Sequence, residues 1–454
     1  MGNAEAGGLP PATDAACRLS VVGAAAAIRE GTLRASDLVE VLLARVAAVD
    51  DRVRAWAFLD AGTARRQAEA ADEHRARGRP LGPLHGVPVA LKDIFETWDM
   101  PTGCGSPVHA GRRTGRDAVC VDRLRRAGAV ILGKTVTTEF CYSTAGETTN
   151  PHDPRRTPGG SSSGSAAAVA AGMVPGALGS QTNGSVIRPA SFCGVIGYKP
   201  SYGLIPRTGV QPMSRALDHV GLIARTVEDV ALLADAMAGP DPGDPDGAAI
   251  ADGALLRSAC APLPRPPRLA FVRTPAWDQA EPATHAGFAR LTARLGGDVQ
   301  ECDLGRLLDP VYDRHATLMA VEMAHVLADP YDRSGAALSP ALRAQIERGR
   351  AHRALDYRLA LDGIESAGRA IDEVFRDYDA ILTPSAAGEA PVGLGSTGNA
   401  IFCTPWSYLR LPAISLPVMT GPSGLPVGAQ LVGRRGDDAR LLRVARWLMA
   451  TAGA

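Results

Sequence analysis

Lysine is almost missing from this chain. Only Lys92, Lys134 and Lys199 occur among 48 basic residues, so the other 45 are arginine. Arginine supplies a fixed charge but cannot lose its proton in a protein, whereas a buried lysine can become a neutral amine and act as a base. Each surviving lysine therefore raises the question of chemistry, against the plain alternative of a retained surface or salt-bridging residue. An excess of charge is missing too: 48 acidic residues balance the 48 basic ones. That balance removes the electrostatic footprint expected of a nucleic-acid partner or an acidic membrane surface. The eight cysteines, at 17, 104, 120, 141, 193, 260, 302 and 403, form no Cys-x-x-Cys pair and have no histidines at metal spacing. They read as free thiols in a reducing compartment, with neither a metal site nor a disulfide framework. No segment reaches the roughly 18 apolar residues that a membrane helix needs. Residues 1–16 hold no Lys or Arg and no apolar run, which reads as a mobile tail and not as a secretory signal. The expectation is a soluble cytoplasmic protein.

What is present is ample for a large core: 454 residues, 46% of them hydrophobic. Val39, Leu42, Leu43, Val46 and Val49 follow the helical period, with Ser36 as the expected N-cap. A polar helix is expected from Thr63 to Ala76. From Leu84 the texture turns to short apolar runs, 87–91 and 129–132, around a helix at 119–127. A strand-helix-strand unit of this kind belongs to a parallel or mixed sheet. Thr226 and Asp229 form a capping box for a helix through Ala238, and 239–267 is a Pro- and Gly-rich excursion. A strand follows at 269–272, then mainly helix over 311–378, with 307–327 and 342–375 the longest stretches. Strands at 380–382, 413–416 and 427–432 precede a closing helix over 439–450. Strands at both ends predict one α/β domain over 17–454.

Two glycine-serine turns carry the chemical signal. Pro158-Gly159-Gly160-Ser161-Ser162-Ser163-Gly164-Ser165 opens an alanine-rich helix, and an N-terminal turn of this kind presents unpaired N–H groups suited to developing negative charge. Gly179-Ser180-Gln181-Thr182-Asn183-Gly184-Ser185 is a second turn, whose N–H groups at Thr182, Asn183, Gly184 and Ser185 would suit an oxyanion. A serine attacks only if a base takes its proton. No Gly-x-Ser-x-Gly elbow implies a histidine triad, and none of the nine histidines lies in these turns. Lysine is the natural base.

These segments resemble the amidase signature family. The matching stretches are Gly82-Pro83-Leu84-His85-Gly86-Val87-Pro88-Val89-Ala90-Leu91-Lys92-Asp93, then 127–135, the two serine turns, 217–229, 379–384 and 424–432, in family order from about residue 20 onward. The resemblance implies a mixed sheet covered by helices on both faces, with a catalytic core at about 82–238 and a helical substrate-pocket region at about 307–378. It implies Ser185 as nucleophile, Ser161 as a bridging serine after a cis peptide bond, and Lys92 as base, with no metal and no other cofactor. Two departures stand out: Gln181 replaces the usual Asp, and Arg188 lies three residues after the nucleophile instead of two. Asn183 stands where glycine is usual, a position asparagine could fill if an unusual backbone angle were needed. The implied activity is hydrolysis of a small-molecule amide, including anilides or carbamates. The alternative is a glutaminase-type subunit of a tRNA-dependent amidotransferase. Expected pocket residues are Cys141, Tyr142 and Ser143, the helices of 311–378, and the 402–406 stretch with Phe402 and Trp406. Oligomeric state is not readable.

Overall fold

Short buried apolar runs form strands here because neighbours on both sides satisfy their backbone groups. The computed structural model describes residues 15–249 and 253–452. Eleven strands build one sheet: β1 (Trp56–Leu59), β2 (Pro88–Lys92), β3 (Val130–Thr135), β4 (Gly176–Gln181), β5 (Ile196–Lys199), β6 (His219–Ala224), β7 (Leu269–Phe271), β8 (Val299–Glu301), β9 (Ala380–Pro384), β10 (Ala413–Thr420) and β11 (Pro426–Val432). Their spatial order is β1-β3-β2-β4-β6-β5-β10-β11-β9-β7-β8. The sheet is mixed: β3-β2-β4 and β9-β7-β8 are parallel, and the remaining pairs are antiparallel. This is the α/β architecture expected, with helices packed against the sheet. The expected tail, 1–16, falls almost wholly outside the described residues.

The predicted strand-helix-strand unit is present, with β2 and β3 paired in parallel around the helix Val119–Arg126. The capping box at Thr226 and Asp229 is also formed, and its helix runs Val227–Met237. Ser36, by contrast, is not an N-cap. The helix begins at Ala35, and Asp72, from the helix Ala61–Ala76, accepts the N–H groups of Ala35 and Ser36 at 2.8 and 3.0 Å. A tertiary carboxylate thus does the work expected of a local serine. The stretch 239–267 contains a short helix, Ala254–Cys260. The long helical stretches are interrupted: 307–327 narrows to Val311–Val326, and 342–375 divides into Pro340–Ala351, Ala354–Asp372 and Val374–Asp377.

Candidate active site

Lys92 ends β2, a strand buried at every position between β3 and β4. Its side chain is 0% exposed, and Nζ is hydrogen-bonded to Ser161 Oγ at 2.7 Å and to Ser180 Oγ at 2.8 Å. Among the described residues no carboxylate forms an ion pair with it. Burial pushes its pKa below the ordinary lysine range, against a smaller opposing pull from Cys141, Asp218 and Cys104. The other two lysines are equally buried but engaged elsewhere. Lys134 holds Asp93 at 3.1 Å, Thr102 Oγ1 at 2.9 Å and the Pro101 carbonyl at 3.0 Å. Lys199 donates to the carbonyls of Leu411 and Pro200, and burial lowers its pKa to about 7. None of the three is a surface residue.

The first serine turn is shaped by close approach. Gly159 has φ +82°, and the Gly160–Ser161 peptide is cis. A Cβ on Gly160 would meet Thr397 Cγ2 at 2.7 Å, and one on Gly164 would meet the Ala55 carbonyl oxygen at 2.3 Å. Arg188 clamps this turn from below: its guanidinium donates to the Gly160 carbonyl at 2.6 Å, to Thr397 Oγ1 at 3.0 Å and to the Gly398 carbonyl at 3.0 Å. The Ser162 N–H donates to the Ser185 carbonyl at 3.3 Å, tying the two turns together.

The second turn links β4 to the helix Ile187–Cys193. Gln181, 1% exposed, accepts the N–H groups of Val186 and Ile187 on its Oε1 at 2.8 and 3.0 Å, and donates through Nε2 to Ser407 Oγ at 3.0 Å. It caps the helix as an acid would, but a neutral amide avoids burying a charge that would need a counterion. The two departures from the family pattern therefore have separate duties: Gln181 organises the 182–185 turn and Arg188 organises the first serine turn. The oxygens of the turn are occupied. His315 Nε2 donates to the Thr182 carbonyl at 3.0 Å, Ser407 Oγ to the Asn183 carbonyl, and Thr404 Oγ1 to Asn183 Oδ1 at 2.8 Å. Burial lowers the His315 pKa to about 4, so the ring is a neutral donor near pH 7. Among the described residues no intramolecular acceptor takes the N–H of Asn183, Gly184 or Ser185. The same is true of the Thr182 N–H, so four N–H groups of this turn have no acceptor among the described residues, while the Thr182 hydroxyl donates to Asp218 at 2.5 Å.

Neither Asn183 nor Gly184 has a positive φ. Asparagine is therefore not needed here for backbone tolerance, and Gly184 is needed for space. A Cβ there would lie 2.9 Å from Ala400 Cβ and 3.2 Å from Cys403 Sγ.

Ser161, Ser185 and the 182–185 turn open on one cavity of about 220 Å³. Cys141, Tyr142 and Ser143 line it, and Met319 is the contribution of the 311–378 helices. Phe402 and Trp406 do not. Both are 0% exposed, Phe402 packed with Ala276 and Ala280 and Trp406 in a core cluster with Leu318 and Ile364. Large aromatics next to a buried turn serve the core more readily than a solvent-filled site. The missed wall is Thr397-Gly398-Asn399-Ala400. Its signal was the run Gly393-Leu394-Gly395-Ser396-Thr397-Gly398, whose small residues let the chain come close to the serines.

The pattern of the family described as Amidase matches residues 37–442. A glutamyl-tRNA(Gln) amidotransferase subunit of Chloroflexus aurantiacus is 35% identical, with 94% of this chain and 95% of that one covered. The solved peptide amidase of Stenotrophomonas maltophilia is 28% identical with a TM-score of 0.81, covering 96% of this chain and 97% of that one. A 6-aminohexanoate cyclic dimer hydrolase, solved with its substrate, is 27% identical with a TM-score of 0.86, covering 96% and 98%. Pattern, fold and relatives agree: the chain belongs to the Amidase family, the amidase signature enzymes that its motifs resemble, and is a hydrolase of carbon–nitrogen bonds.

Proposed function

We propose that this hydrolase cleaves the carbonyl C–N bond of a small-molecule amide through an acyl-enzyme on Ser185. Neutral Lys92 takes the proton of Ser161, and Ser161 takes that of Ser185 as its oxygen adds to the substrate carbonyl. The N–H groups of the 182–185 turn hold the oxyanion. Collapse breaks the C–N bond, and the proton returns through Ser161 to the departing nitrogen. Water then adds to the ester, its proton taken by the same route, and the acid leaves with Ser185 reprotonated. The relay uses no metal and no organic cofactor. The observation that carries this reading is Lys92: a fully buried amine, 2.7 Å from Ser161 Oγ, with no carboxylate paired to it among the described residues.

A cavity of about 220 Å³ suits a small acyl or amine group. Anilides and carbamates offer the same carbonyl–nitrogen bond and belong to the same proposed class. The likeness to an amidotransferase component favours a second reading, in which glutamine is the substrate and ammonia passes to a partner subunit. The scattered cysteines, with no Cys-x-x-Cys pair, fit a reducing compartment, and we place the protein in the cytoplasm.

The test uses the purified chain with aryl and alkyl amides, anilides, carbamates, esters and glutamine, the last with and without candidate partner subunits. Turnover of the chain alone on small amides is expected, unchanged by a chelator. Ser185→Ala should lower kcat by more than about 100-fold, the lower end of what one positioned catalytic group supplies. Glutaminase activity appearing only with a partner would support the second reading. A Ser185→Ala enzyme keeping more than about a hundredth of wild-type kcat would reject the nucleophile.

A further inference from the structure

Lys92 touches two hydroxyls, and the relay uses one. The other belongs to Ser180 on β4, five residues before Ser185, with Oγ 2.8 Å from Nζ. Ser180 is clamped in place beside the first serine turn: its N–H donates to Ser162 Oγ at 3.3 Å, and Ser162 Oγ donates to its carbonyl at 3.4 Å. Its hydroxyl also lies 3.9 Å from Cys141 Sγ. Ser180 lines a second cavity, of about 330 Å³, which shares Cys141, Thr182 and Met213 with the substrate cavity but is not lined by Ser161 or Ser185. The charged groups on its wall are already engaged. Arg207 pairs with Asp244 and Asp246 at 2.7 Å each, and the Asp218 carboxylate accepts from Thr182 Oγ1 and from the N–H groups of Met213 and Ser214.

A neutral primary amine has two N–H bonds and one lone pair. To take a proton from Ser161, the lone pair must face Ser161 Oγ, and free rotation about Cε–Nζ would spend most orientations elsewhere. An acceptor fixed at a second point sets that rotation. We propose that Ser180 is a positioning residue of the relay: its Oγ accepts one N–H of Lys92, aims the amine lone pair at Ser161, and stabilises the ammonium formed when the proton arrives. This rests on Lys92 being the base. Nothing is consumed in the step; the proton that leaves Ser161 resides on Nζ, hydrogen-bonded to Ser180, and goes back through Ser161 to the leaving nitrogen. Because a hydrogen bond to the charged form favours it, losing Ser180 Oγ makes Lys92 easier to keep neutral but harder to use as a base. The other groups that bear on the Lys92 charge, Cys104, Cys141 and Asp218, are unchanged by the substitution, and neighbouring Asp93 stays tied to Lys134.

The test compares Ser180→Ala, Ser180→Thr and Lys92→Arg with the wild type on one small amide. Ser180→Ala should lower kcat about tenfold or more, with KM nearly unchanged, and move the acidic limb of kcat/KM to lower pH. Ser180→Thr, which keeps the oxygen, should recover most of kcat and the wild-type limb. A Ser180→Ala enzyme with an unmoved limb, or equal losses in the Ala and Thr variants, would overturn the positioning role. Near-normal turnover by Lys92→Arg would instead overturn the base itself, and the role of Ser180 with it.

Discussion

The two stretches that meet at the site bring different things to it. In the proposed relay, residues 82–238 set the serines through backbone: cis Gly160–Ser161, the turn at 182–185, and glycines at 160, 164 and 184 that sit where a Cβ would collide. Residues 307–400 bring side chains and a loop: Met319 from the helix Val311–Val326, and the 397–400 wall. The helices of that second stretch are amphipathic and half-solvated, leaving Leu355 and Leu359 exposed. Atomic positions in the first stretch are therefore over-determined by packing, while the walls supplied by the second can change without moving the serines. Turnover should be sensitive to the first and substrate choice to the second.

The largest effect that would break this contrast is at Lys92. Lys92→Arg keeps charge and much of the length, yet a guanidinium cannot accept the Ser161 proton. Its kcat should fall about as far as that of Lys92→Ala, by roughly 10²–10⁴-fold. If arginine were instead tolerated, as it is at 45 other basic positions, the site would need a charge and not a base.

Next in size is Gly184→Ala. Its Cβ would press on Ala400 and Cys403, displacing the turn by a fraction of an ångström. A shift of that order at a catalytic turn costs up to about 100-fold in kcat, with little change in KM. Kinetics on a single amide would show it. A wild-type kcat would mean that the turn is not over-determined.

The smallest is Met319→Ala, which enlarges the cavity from the helical side without touching the serines. The ratio of kcat/KM between a bulky and a small amide should move by about tenfold, the scale set by one or two methylenes in a pocket. An equal loss on both substrates would place Met319 with the chemistry instead of the specificity.

The same division explains what could be read from sequence. β2 and β3 announced themselves through Val87-Pro88-Val89-Ala90-Leu91 and Ala129-Val130-Ile131-Leu132, because apolar runs between turns have few other uses. β4 was hidden. Gly176-Ala177-Leu178-Gly179-Ser180-Gln181 has little strand propensity and is held by pairing with β2 on one side and β6 on the other, information its own residues do not carry. Reading 179–185 as a turn alone also hid Ser180. Lys92 was legible from composition and motif together, since a scarce residue type in a buried strand asks for a reason. The pocket wall was not, because an aromatic such as Trp406 looks alike in sequence whether it faces a substrate or a core. Ser36 failed for a related cause: its helix is capped by Asp72, 36 residues away.

The central claim is that Ser185 attacks because Lys92 is neutral, and the most direct measurement is the rate at which a fluorophosphonate labels the enzyme, mapped to a peptide, as a function of pH. Burial lowers the Lys92 pKa, so the amine is free above that lowered value and protonated below it. The account predicts a label on Ser185, with a rate that falls as pH drops through an acidic limb below the ordinary lysine range. That limb should describe the coupled relay as a whole. In Lys92→Arg the labelling should be slow at every pH. A label on another residue, or a Lys92→Arg enzyme labelled at Ser185 as fast as the wild type, would contradict it.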